Sequence, residues 1–294
     1  MTSWSAYDPK ATAEVRSTLA ITLRSFGPAR EHLTVVGGLA PGLLVPTPVT
    51  AAHVGTTDVD ICLTVALAEG GTGYYDTASD ALRRNGFTQE PFRGGPGFRW
   101  ALNGIKVEFL YPAGAGERPL AHLRRGEDWE SSALRSLGPD FAALAVGSPA
   151  LLQVDRRLTR FDATVSGGTV TEDVHVAGPT AFCAMKAAAI RGRLNDKDAY
   201  DVVWLLNELG PEAAAAEAID LGRRDADLRA EVEQTATALA EDFAVGRNGP
   251  AWYANFLAVN DDRDRSQLER EATDIVGTWA AQVLGAFQRG ATDY

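Results

Sequence analysis

The hydrophobic pattern of this chain changes its period near residue 177, and this change restricts the folds that it can adopt. Before that point, short runs of β-branched and aromatic residues alternate with turns rich in glycine and proline, which is typical of strands interspersed with helices. After it, the chain is alanine-rich, with breaks at Gly210-Pro211 and at residues 246–250, which predicts consecutive helices. We therefore predict an α/β (α+β) module over residues 1–177 and a helical domain over residues 178–294.

Length and composition are compatible with two such domains. The chain has 294 residues, of which 45% are hydrophobic, and this is enough to build a buried core. Its two cysteines, Cys62 and Cys183, cannot form a disulfide framework, and their spacing matches no zinc module. No apolar stretch approaches the length of a membrane span, and the first residues lack the pattern of a signal peptide. We expect a soluble, cytoplasmic protein that does not interact with a membrane.

The net charge limits the classes of partner. Aspartate and glutamate total 39 against 28 lysines and arginines, which gives a formal charge of −11. A protein that coats nucleic acid non-specifically needs a broad basic surface, so the charge argues against that class. It leaves room for one basic groove, and the arginines at 124–125, 156–157 and 160 either bind an RNA backbone there or form surface ion pairs.

Local patterns predict the elements of the first half. We expect helices at 9–26, 39–45 and 74–85, and extended segments at 32–36, 58–65, 87–93, 98–102, 105–111, 150–154, 160–165 and 174–176. Asn103-Gly104 is a strong signal for a tight hairpin turn between two of these segments. The charged stretch 112–138 predicts irregular structure.

One predicted strand carries two carboxylates on its polar face. Period-two alternation turns Val59 and Ile61 one way and Asp58 and Asp60 the other, with the aspartates about 7 Å apart along the strand. Two converging carboxylates repel each other unless a cation lies between them. Mg²⁺ (or Mn²⁺) is the expected metal, because hard divalent ions are held by one or two carboxylates together with substrate phosphates.

A third carboxylate and a glycine pair extend this candidate site. Glu108 lies in the second arm of the hairpin, on the face opposite Val107 and Phe109, where it is a candidate third metal ligand or general base for in-line phosphoryl displacement. Gly37-Gly38 ends one strand and opens a helix, an arrangement that lets backbone N–H groups bind phosphate.

Hydroxyl groups and the order of the motifs support the same site. Thr56 and Thr57 are candidate donors to the same phosphate. Each motif alone is common, since Asp-x-Asp occurs in many exposed strands. The order is far more specific: a strand, a glycine pair that opens a helix, a strand with Asp-x-Asp, a helix, and a hairpin with a glutamate.

The helical half contains a second group of candidates. Lys186 lies on the helix that begins near Thr180, and Asp198 and Asp201 are one turn apart on the next helix, where Lys197 pairs with Asp201 at i,i+4. Near a phosphate site, Lys186 would neutralise a triphosphate or activate a leaving group, and Asp198 would orient it or bind metal or substrate. The alternative is a solvated ion-pair surface that stabilises its helix only slightly.

The first group of motifs resembles the nucleotidyltransferase fold of the polymerase-β superfamily, a mixed sheet with flanking helices. Gly37, Gly38, Asp58, Asp60 and Glu108 match its pattern position by position. The resemblance implies that the glycines and aspartates bind a nucleoside triphosphate and Mg²⁺ and that the third carboxylate is a base or a ligand. Two departures are that leucine follows the glycine pair where serine is common, and that the spacing from the glycine pair to Asp-x-Asp is long.

The second group is similar to the second half of the AbiEii-type nucleotidyltransferases, toxins of type IV toxin–antitoxin and abortive-infection systems. The similarity covers roughly residues 33–209 and rests on Lys186 followed by Arg-x-Arg-x-x-Asp-Lys-Asp-x-x-Asp. It implies a Mg²⁺-dependent enzyme in which Lys186 and either Asp198 or Asp201 are required for activity. It also implies an NTP as substrate, tRNA as the acceptor and a cognate antitoxin as protein partner.

Two other functions stay open. Antibiotic nucleotidyltransferases, which act on aminoglycosides or lincosamides, share the glycine pair and a stretch like His53 to Asp60, and an acidic pocket would suit a cationic drug. A catalytically inactive homologue that only binds a nucleotide or a partner is the second alternative, although all three carboxylates are present. His53 lies just before the Asp-x-Asp strand, within reach of the site, but a loop histidine is usually solvated and that is the expectation here.

Overall fold

Nine strands form one mixed sheet in the part of the chain that the structure describes. The structure is a computed structural model that describes residues 7, 9–64, 72–92, 95–114, 133–192, 195–258 and 261–290. The strands are β1 (Leu33–Val35), β2 (Asp58–Leu63), β3 (Thr88–Phe92), β4 (Gly95–Leu102), β5 (Ile105–Pro112), β6 (Leu134–Gly138), β7 (Phe141–Val146), β8 (Arg156–Val165) and β9 (Gly168–Ala177). Their order is β3-β4-β5-β2-β1-β9-β8, and β7 pairs with both β5 and β6.

Helices flank the sheet and make up the rest of the fold. They are α1 (Pro9–Phe26), α2 (Ala40–Leu44), α3 (Thr72–Arg84), α4 (Pro149–Val154), α5 (Pro179–Gly192), α6 (Asp196–Leu209), α7 (Pro211–Gly222), α8 (Ala226–Asp242), α9 (Asn248–Leu257) and α10 (Arg265–Gly290). Helix α1 packs against β8 and α3, and α10 packs against α7, α8 and α9. The predicted α/β fold, with a mixed sheet, flanking helices and a helical C-terminal region, is confirmed.

The central strands have a register that matters for the candidate site. Strand β1 lies between β2, to which it is antiparallel, and β9, to which it is parallel. On its other side β2 pairs with β5 in parallel, so that Asp60 is opposite Glu108 and Asp58 is opposite Lys106. Opposite residues of neighbouring strands project from the same face of a sheet.

Most predicted elements of the first half are confirmed. Helix α1 has the predicted bounds, and α2, α3, β1, β2, β3 and the β4–β5 hairpin lie where they were expected. In the hairpin turn, Asn103 and Gly104 have φ angles of 52° and 85°, as the predicted type of two-residue turn requires. Strands β8 and β9 extend beyond the two short segments predicted there.

Two local predictions are wrong. Residues 150–154 are helical in α4 and not extended, because the carboxylate of Glu231 accepts hydrogen bonds from the backbone N–H groups of Ala150 (3.0 Å) and Leu151 (2.9 Å) and caps this short helix. The end of the supposedly irregular stretch 112–138 is strand β6, which pairs with β7. Residues 115–132 and Val65 lie outside the described residues.

The structure changes from strands to helices at the predicted position. Strand β9 ends at Ala177 and α5 begins at Pro179. The buried carboxylate of Asp155 accepts a hydrogen bond from the N–H of Ala181 (2.8 Å) in the first turn of α5. The backbone oxygen of Asp155 accepts another from Gly178 (2.6 Å). The division into domains 1–177 and 178–294 stays a prediction.

None of the helices in the described part of the chain combines the length and the apolar character that crossing a lipid bilayer requires.

Phe141 is at the centre of the aromatic core beneath the sheet. Its ring centroid is 4.8 Å from that of Phe109, 5.2 Å from Tyr75, 6.1 Å from Phe26 and 6.3 Å from Trp100. The side chain is completely buried. It therefore joins strand β7, which the sequence pattern did not reveal, to helices α1 and α3 and to strands β4 and β5.

We expect Phe141→Ala to lower the free energy of unfolding by about 3–5 kcal/mol, because it leaves a cavity that rigid neighbours cannot fill. Urea unfolding followed by circular dichroism measures this loss. Leu158→Ala is the control, since Leu158 is 66% exposed on β8, and it should change the unfolding free energy by less than about 0.5 kcal/mol. Equal losses in the two variants would contradict the assigned core.

Candidate functional site

The three predicted carboxylates lie on one face of the sheet. Asp58 and Asp60 are two residues apart on β2, and Glu108 on β5 is directly opposite Asp60. All three are partly exposed. The residues between them, Val59 and Val107, are completely buried on the other face. The predicted alternation is therefore confirmed, and strand pairing brings together carboxylates that are about fifty residues apart in the chain.

The glycine pair packs directly against this carboxylate face. A Cβ atom built on Gly37 would lie 1.6 Å from Asp60 Oδ2, so no residue other than glycine fits without moving that carboxylate. The N–H of Val36 donates to the backbone oxygen of Asp60 (3.0 Å) and fixes the turn against β2. The predicted meeting of Gly37-Gly38 with the Asp-x-Asp strand is thus present.

Gly38 contacts a different set of polar groups. A Cβ atom built on Gly38 would lie 2.8 Å from Thr56 Oγ1 and 2.8 Å from Lys197 Nζ. The Thr56 hydroxyl donates to Asp58 Oδ1 (2.6 Å). Gly38 therefore lies between Thr56, which precedes the Asp-x-Asp strand, and Lys197 of helix α6. The neighbouring Thr57 is half-exposed.

The helix that follows the glycine pair is too short for the expected dipole effect. Helix α2 contains five residues, with Pro41 in its first turn. A helix dipole is the sum of aligned peptide dipoles, so one short turn contributes little. A positive potential near Gly38 comes instead from the Lys197 ammonium.

The second group of candidates forms a buried charge cluster that links α5 to α6. The Lys186 ammonium is 2.7 Å from Asp198 Oδ1 and 2.7 Å from Asp201 Oδ2. The Lys197 ammonium is 2.7 Å from Asp201 Oδ1 and 3.0 Å from its Oδ2. None of these four side chains is more than 7% exposed. The alternative of a solvated ion-pair surface is therefore wrong.

His53 belongs to the same cluster, contrary to the expectation that it is solvated. Its side chain is 3% exposed, and Nε2 is 2.9 Å from Asp201 Oδ1. Nδ1 accepts a hydrogen bond from the N–H of Gly55 (3.0 Å), so the ring proton is on Nε2, where it donates to Asp201. The ring packs against Tyr200 and Trp204 at centroid distances of 5.3 and 4.9 Å.

The 46–57 loop is attached along one side of helix α6. The Glu208 carboxylate accepts hydrogen bonds from the N–H groups of Val49 (2.6 Å) and Thr50 (3.0 Å). Trp204 Nε1 donates to the backbone oxygen of Ala51 (3.0 Å). These contacts continue to His53 and explain the long spacing between Gly38 and Asp58, because the additional residues cross α6 before β2 begins.

Charge interactions and burial oppose each other in the cluster. Burial by itself raises the pKa of Asp201, but the ammonium groups of Lys186 and Lys197 hold that pKa far below its usual range. Burial lowers the pKa of Lys197 more than its carboxylate partners raise it. The two ammonium groups therefore favour the ionised form of Asp201, and burial deprives Lys197 of part of the hydration that stabilises its charged form.

The carboxylate face suits a metal ion whose ligands come partly from the protein and partly from the substrate phosphates, rather than from the protein alone. Within the part of the chain that the structure describes, no cluster of three or more His, Cys, Asp or Glu side chains is arranged to hold a metal ion. Glu108 Oε1 accepts from Arg99 Nε (2.7 Å), which draws this carboxylate toward an arginine. Asp58 and Asp60 are the carboxylate pair that suits Mg²⁺ when phosphate supplies further oxygens.

Sequence reasoning missed two partnerships and the position of a third residue. Arg99 is one strand away from Glu108, and only the β4–β5 register reveals the pair. His53 has no local motif that predicts a partner 148 residues away. Lys197 was predicted to pair with Asp201, and it does, but its position beside Gly38 was not foreseen.

The arginine runs are engaged in ion pairs and backbone contacts. Arg157 pairs with Glu217, and Arg160 is 2.9 Å from Asp173. Arg156 donates to the backbone oxygen of Glu31 (2.6 Å). These contacts favour the surface-pair alternative over an RNA groove at this place, whereas residues 124–125 and Arg193 lie outside the described residues.

Comparison of the chain with protein-family models, with curated proteins and with solved structures finds no match. The similarity to AbiEii-type nucleotidyltransferases therefore stays a prediction, and the site has to be judged on its geometry.

We expect Gly37→Ala to destabilise the fold by about 1–3 kcal/mol, because the new methyl group overlaps the Asp60 carboxylate. Gly42→Ala is the matched control, since Gly42 lies in α2 and a Cβ atom built on it would have no atom within 4 Å, so alanine there should be neutral or slightly stabilising. Thermal and urea unfolding of both variants provide the comparison. Equal stabilities would show that Gly37 does not contact Asp60.

We expect His53 to make the protein less stable as the pH falls from 7.5 to 5.5. Burial lowers the pKa of His53 in the folded protein below its value of 6.5, so the unfolded chain takes up a proton first and protonation favours unfolding. This loss amounts to at most about 1.4 kcal/mol over the pH unit below 6.5. His53→Gln, which keeps a donor but does not titrate, should flatten the dependence in urea unfolding at a series of pH values.

The control for this experiment is Leu158→Ala, because Leu158 is exposed on β8 and its side chain has no proton to titrate, so the slope should equal that of the wild type. A His53→Gln protein with the wild-type slope would contradict the buried, neutral histidine.

Proposed function

We propose that this protein is a nucleotidyltransferase that transfers a nucleotidyl group from an NTP to an acceptor hydroxyl. The observation that carries the proposal is the position of Asp58, Asp60 and Glu108 on one face of the sheet, where Asp60 packs against a glycine turn that leaves no room for side chains. Paired carboxylates beside a close backbone approach suit a magnesium-bound phosphate group.

Each residue of the carboxylate face has a defined part in the proposal. Asp58 and Asp60 hold Mg²⁺ or Mn²⁺, and the ion supplies charge neutralisation to the reacting phosphate when it is bound. Gly37 and Gly38 let the backbone approach that phosphate, because neither has a Cβ. Thr56, whose hydroxyl already donates to Asp58, keeps this carboxylate oriented.

Glu108 is proposed as a general base or a third ligand. Arg99 holds one of its oxygens, and an ionised carboxylate has a second oxygen and further lone pairs. As a base it would accept the proton of the acceptor hydroxyl. Arg99 then orients the carboxylate by a charge-assisted hydrogen bond, which is stronger than a neutral one.

The buried cluster forms the second side of the site. Lys186, Asp198 and Asp201 connect α5 with α6, and Lys197 reaches the glycine turn from the same helix. This arrangement agrees with a requirement for Lys186 and for Asp198 or Asp201, either because they touch substrate or because they hold the helices that do.

The acceptor and the biological role rest on the resemblance alone. It favours tRNA as the acceptor, a cognate antitoxin as protein partner, and a toxin of a toxin–antitoxin or phage-defence system. The net charge of −11 opposes tRNA binding only weakly, because one local basic groove is sufficient for an RNA backbone.

A labelling experiment tests the activity. Purified protein is incubated with Mg²⁺, each labelled NTP and total tRNA, with a panel of aminoglycosides and lincosamides in parallel. We expect label in tRNA, and Asp60→Asn should reduce its rate on the order of 100-fold or more, as removal of a group that stabilises a transition state does. Asp220→Asn, at a surface position of α7 whose side chain is 74% exposed, should label at the wild-type rate.

The other outcomes distinguish the alternatives. Label in a drug and none in tRNA would favour an antibiotic nucleotidyltransferase. Nucleotide binding without label in any acceptor, unchanged by Asp60→Asn, would favour an inactive homologue and would overturn the proposed transfer to tRNA.

A further inference from the structure

The two buried lysines have different surroundings, although both contact Asp201. The Lys186 ammonium lies between two carboxylates, Asp198 and Asp201, each at 2.7 Å. The Lys197 ammonium has both oxygens of Asp201 as its carboxylate contacts, and Asp201 is shared with Lys186 and with His53. Among the described residues, Lys186 thus contacts two carboxylates, whereas Lys197 contacts one carboxylate that it shares with Lys186.

The two lysines also differ in what they approach. The atoms nearest to a Cβ position on Gly38 are Lys197 Nζ and Thr56 Oγ1, both at 2.8 Å, followed by Thr56 Cβ at 3.1 Å. Lys197 is thus the lysine that reaches the glycine turn, and a side chain at residue 38 would displace its ammonium. Lys186 is directed instead into the contact between α5 and α6, with the Phe182 ring centroid 5.6 Å from its Nζ.

Three contacts, two with Asp201 and one with the Tyr7 ring, fix the position of the Lys197 ammonium. Asp201 binds it through both oxygens and is itself oriented by the Nε2–H of His53. The Tyr7 ring centroid is 5.2 Å from Lys197 Nζ on the other side, at a distance where a ring face attracts a cation. A cation held in place before a ligand arrives loses little conformational entropy on binding.

The groups around Gly38 suit an oxyanion as ligand. An ammonium has three N–H donors, and that of Lys197 lies beside Gly38, a residue without a side chain. Burial has removed part of the hydration of Lys197 and lowers its pKa, so an added anion would interact with it more strongly than with a solvated lysine. The neighbouring carboxylates of Asp58 and Asp60 would bind the metal that accompanies a polyphosphate.

We propose that Lys197, positioned by Asp201 and His53 beside Gly38 and Thr56, is the cationic residue that binds the polyphosphate of the nucleotide, and that Lys186 holds helices α5 and α6 together. This inference rests on the proposed function and makes it more specific, because the sequence pattern indicated Lys186 as the residue that neutralises the triphosphate. Asp201 and His53 are positioning residues in this arrangement.

Binding of inorganic tripolyphosphate with Mg²⁺ tests the inference without any transfer reaction. Isothermal titration calorimetry of the full chain should give a Kd that rises about 10- to 100-fold in Lys197→Gln, the loss expected for a hydrogen bond to a charged group. Lys10→Gln is the matched control, since Lys10 is exposed at the start of α1, and its Kd should equal that of the wild type. Circular dichroism and thermal unfolding establish that each variant is folded.

A second measurement does not depend on the folding of Lys197→Gln. The chain has only four lysines, so NMR can follow their ¹⁵Nζ signals in the wild-type protein, with assignments from single Lys→Arg variants that keep the charge. Tripolyphosphate should shift the Lys197 signal more than the Lys186 signal.

The results separate this inference from the proposed function. A wild-type protein that does not bind tripolyphosphate, a Lys197→Gln protein with the wild-type Kd, or a larger shift at Lys186 would overturn the role of Lys197. Affinity that depends on Lys197 in a protein that labels no acceptor would support the anion site and overturn the transferase.

Discussion

The buried carboxylate of Asp201 is the interaction on which the arrangement of the site depends. It is completely buried and contacts Lys186, Lys197 and His53 at 2.7 to 2.9 Å. Removing one partner of a buried charge costs far more than the pair contributes to stability. Helix α5, helix α6 and the 46–57 loop therefore have to be in place together, and the loop leads directly to Thr56 and the Asp-x-Asp strand.

The positions of the carboxylates on the sheet are fixed by backbone pairing, independently of the buried charge cluster. Parallel pairing of β2 with β5 places Asp60 opposite Glu108, and the contact between Gly37 and Asp60 sets the distance to the turn. Backbone hydrogen bonds determine this half of the site, whereas charge interactions determine the other half. The two halves meet at Gly38, which lies beside both Thr56 and Lys197.

What could be predicted from the sequence was local. Alternation in β2, the Asn103-Gly104 turn and the bounds of α1 follow from side-chain period and turn chemistry within a few residues. Strand β7 escaped prediction because all six of its residues are buried, and a continuous apolar run has no alternation to detect. Helix α4 depends on Glu231, 81 residues away from Ala150. The carboxylates of the site were found because each lies in a local motif, and His53 was missed because its partner is distant.

The charge balance of the cluster explains how an ammonium can lie next to a metal-binding face. Two lysines and two aspartates cancel, and His53 is neutral because its Nδ1 accepts a hydrogen bond and burial lowers its pKa. A buried ion cluster is seldom more stabilising than apolar side chains of the same volume, so stability alone does not account for it. A neutral cluster that presents one ammonium toward Gly38 provides a hydrogen-bond donor for phosphate. It repels a cation at Asp58 and Asp60 only weakly, because opposite charges a few ångströms apart largely cancel at greater distances.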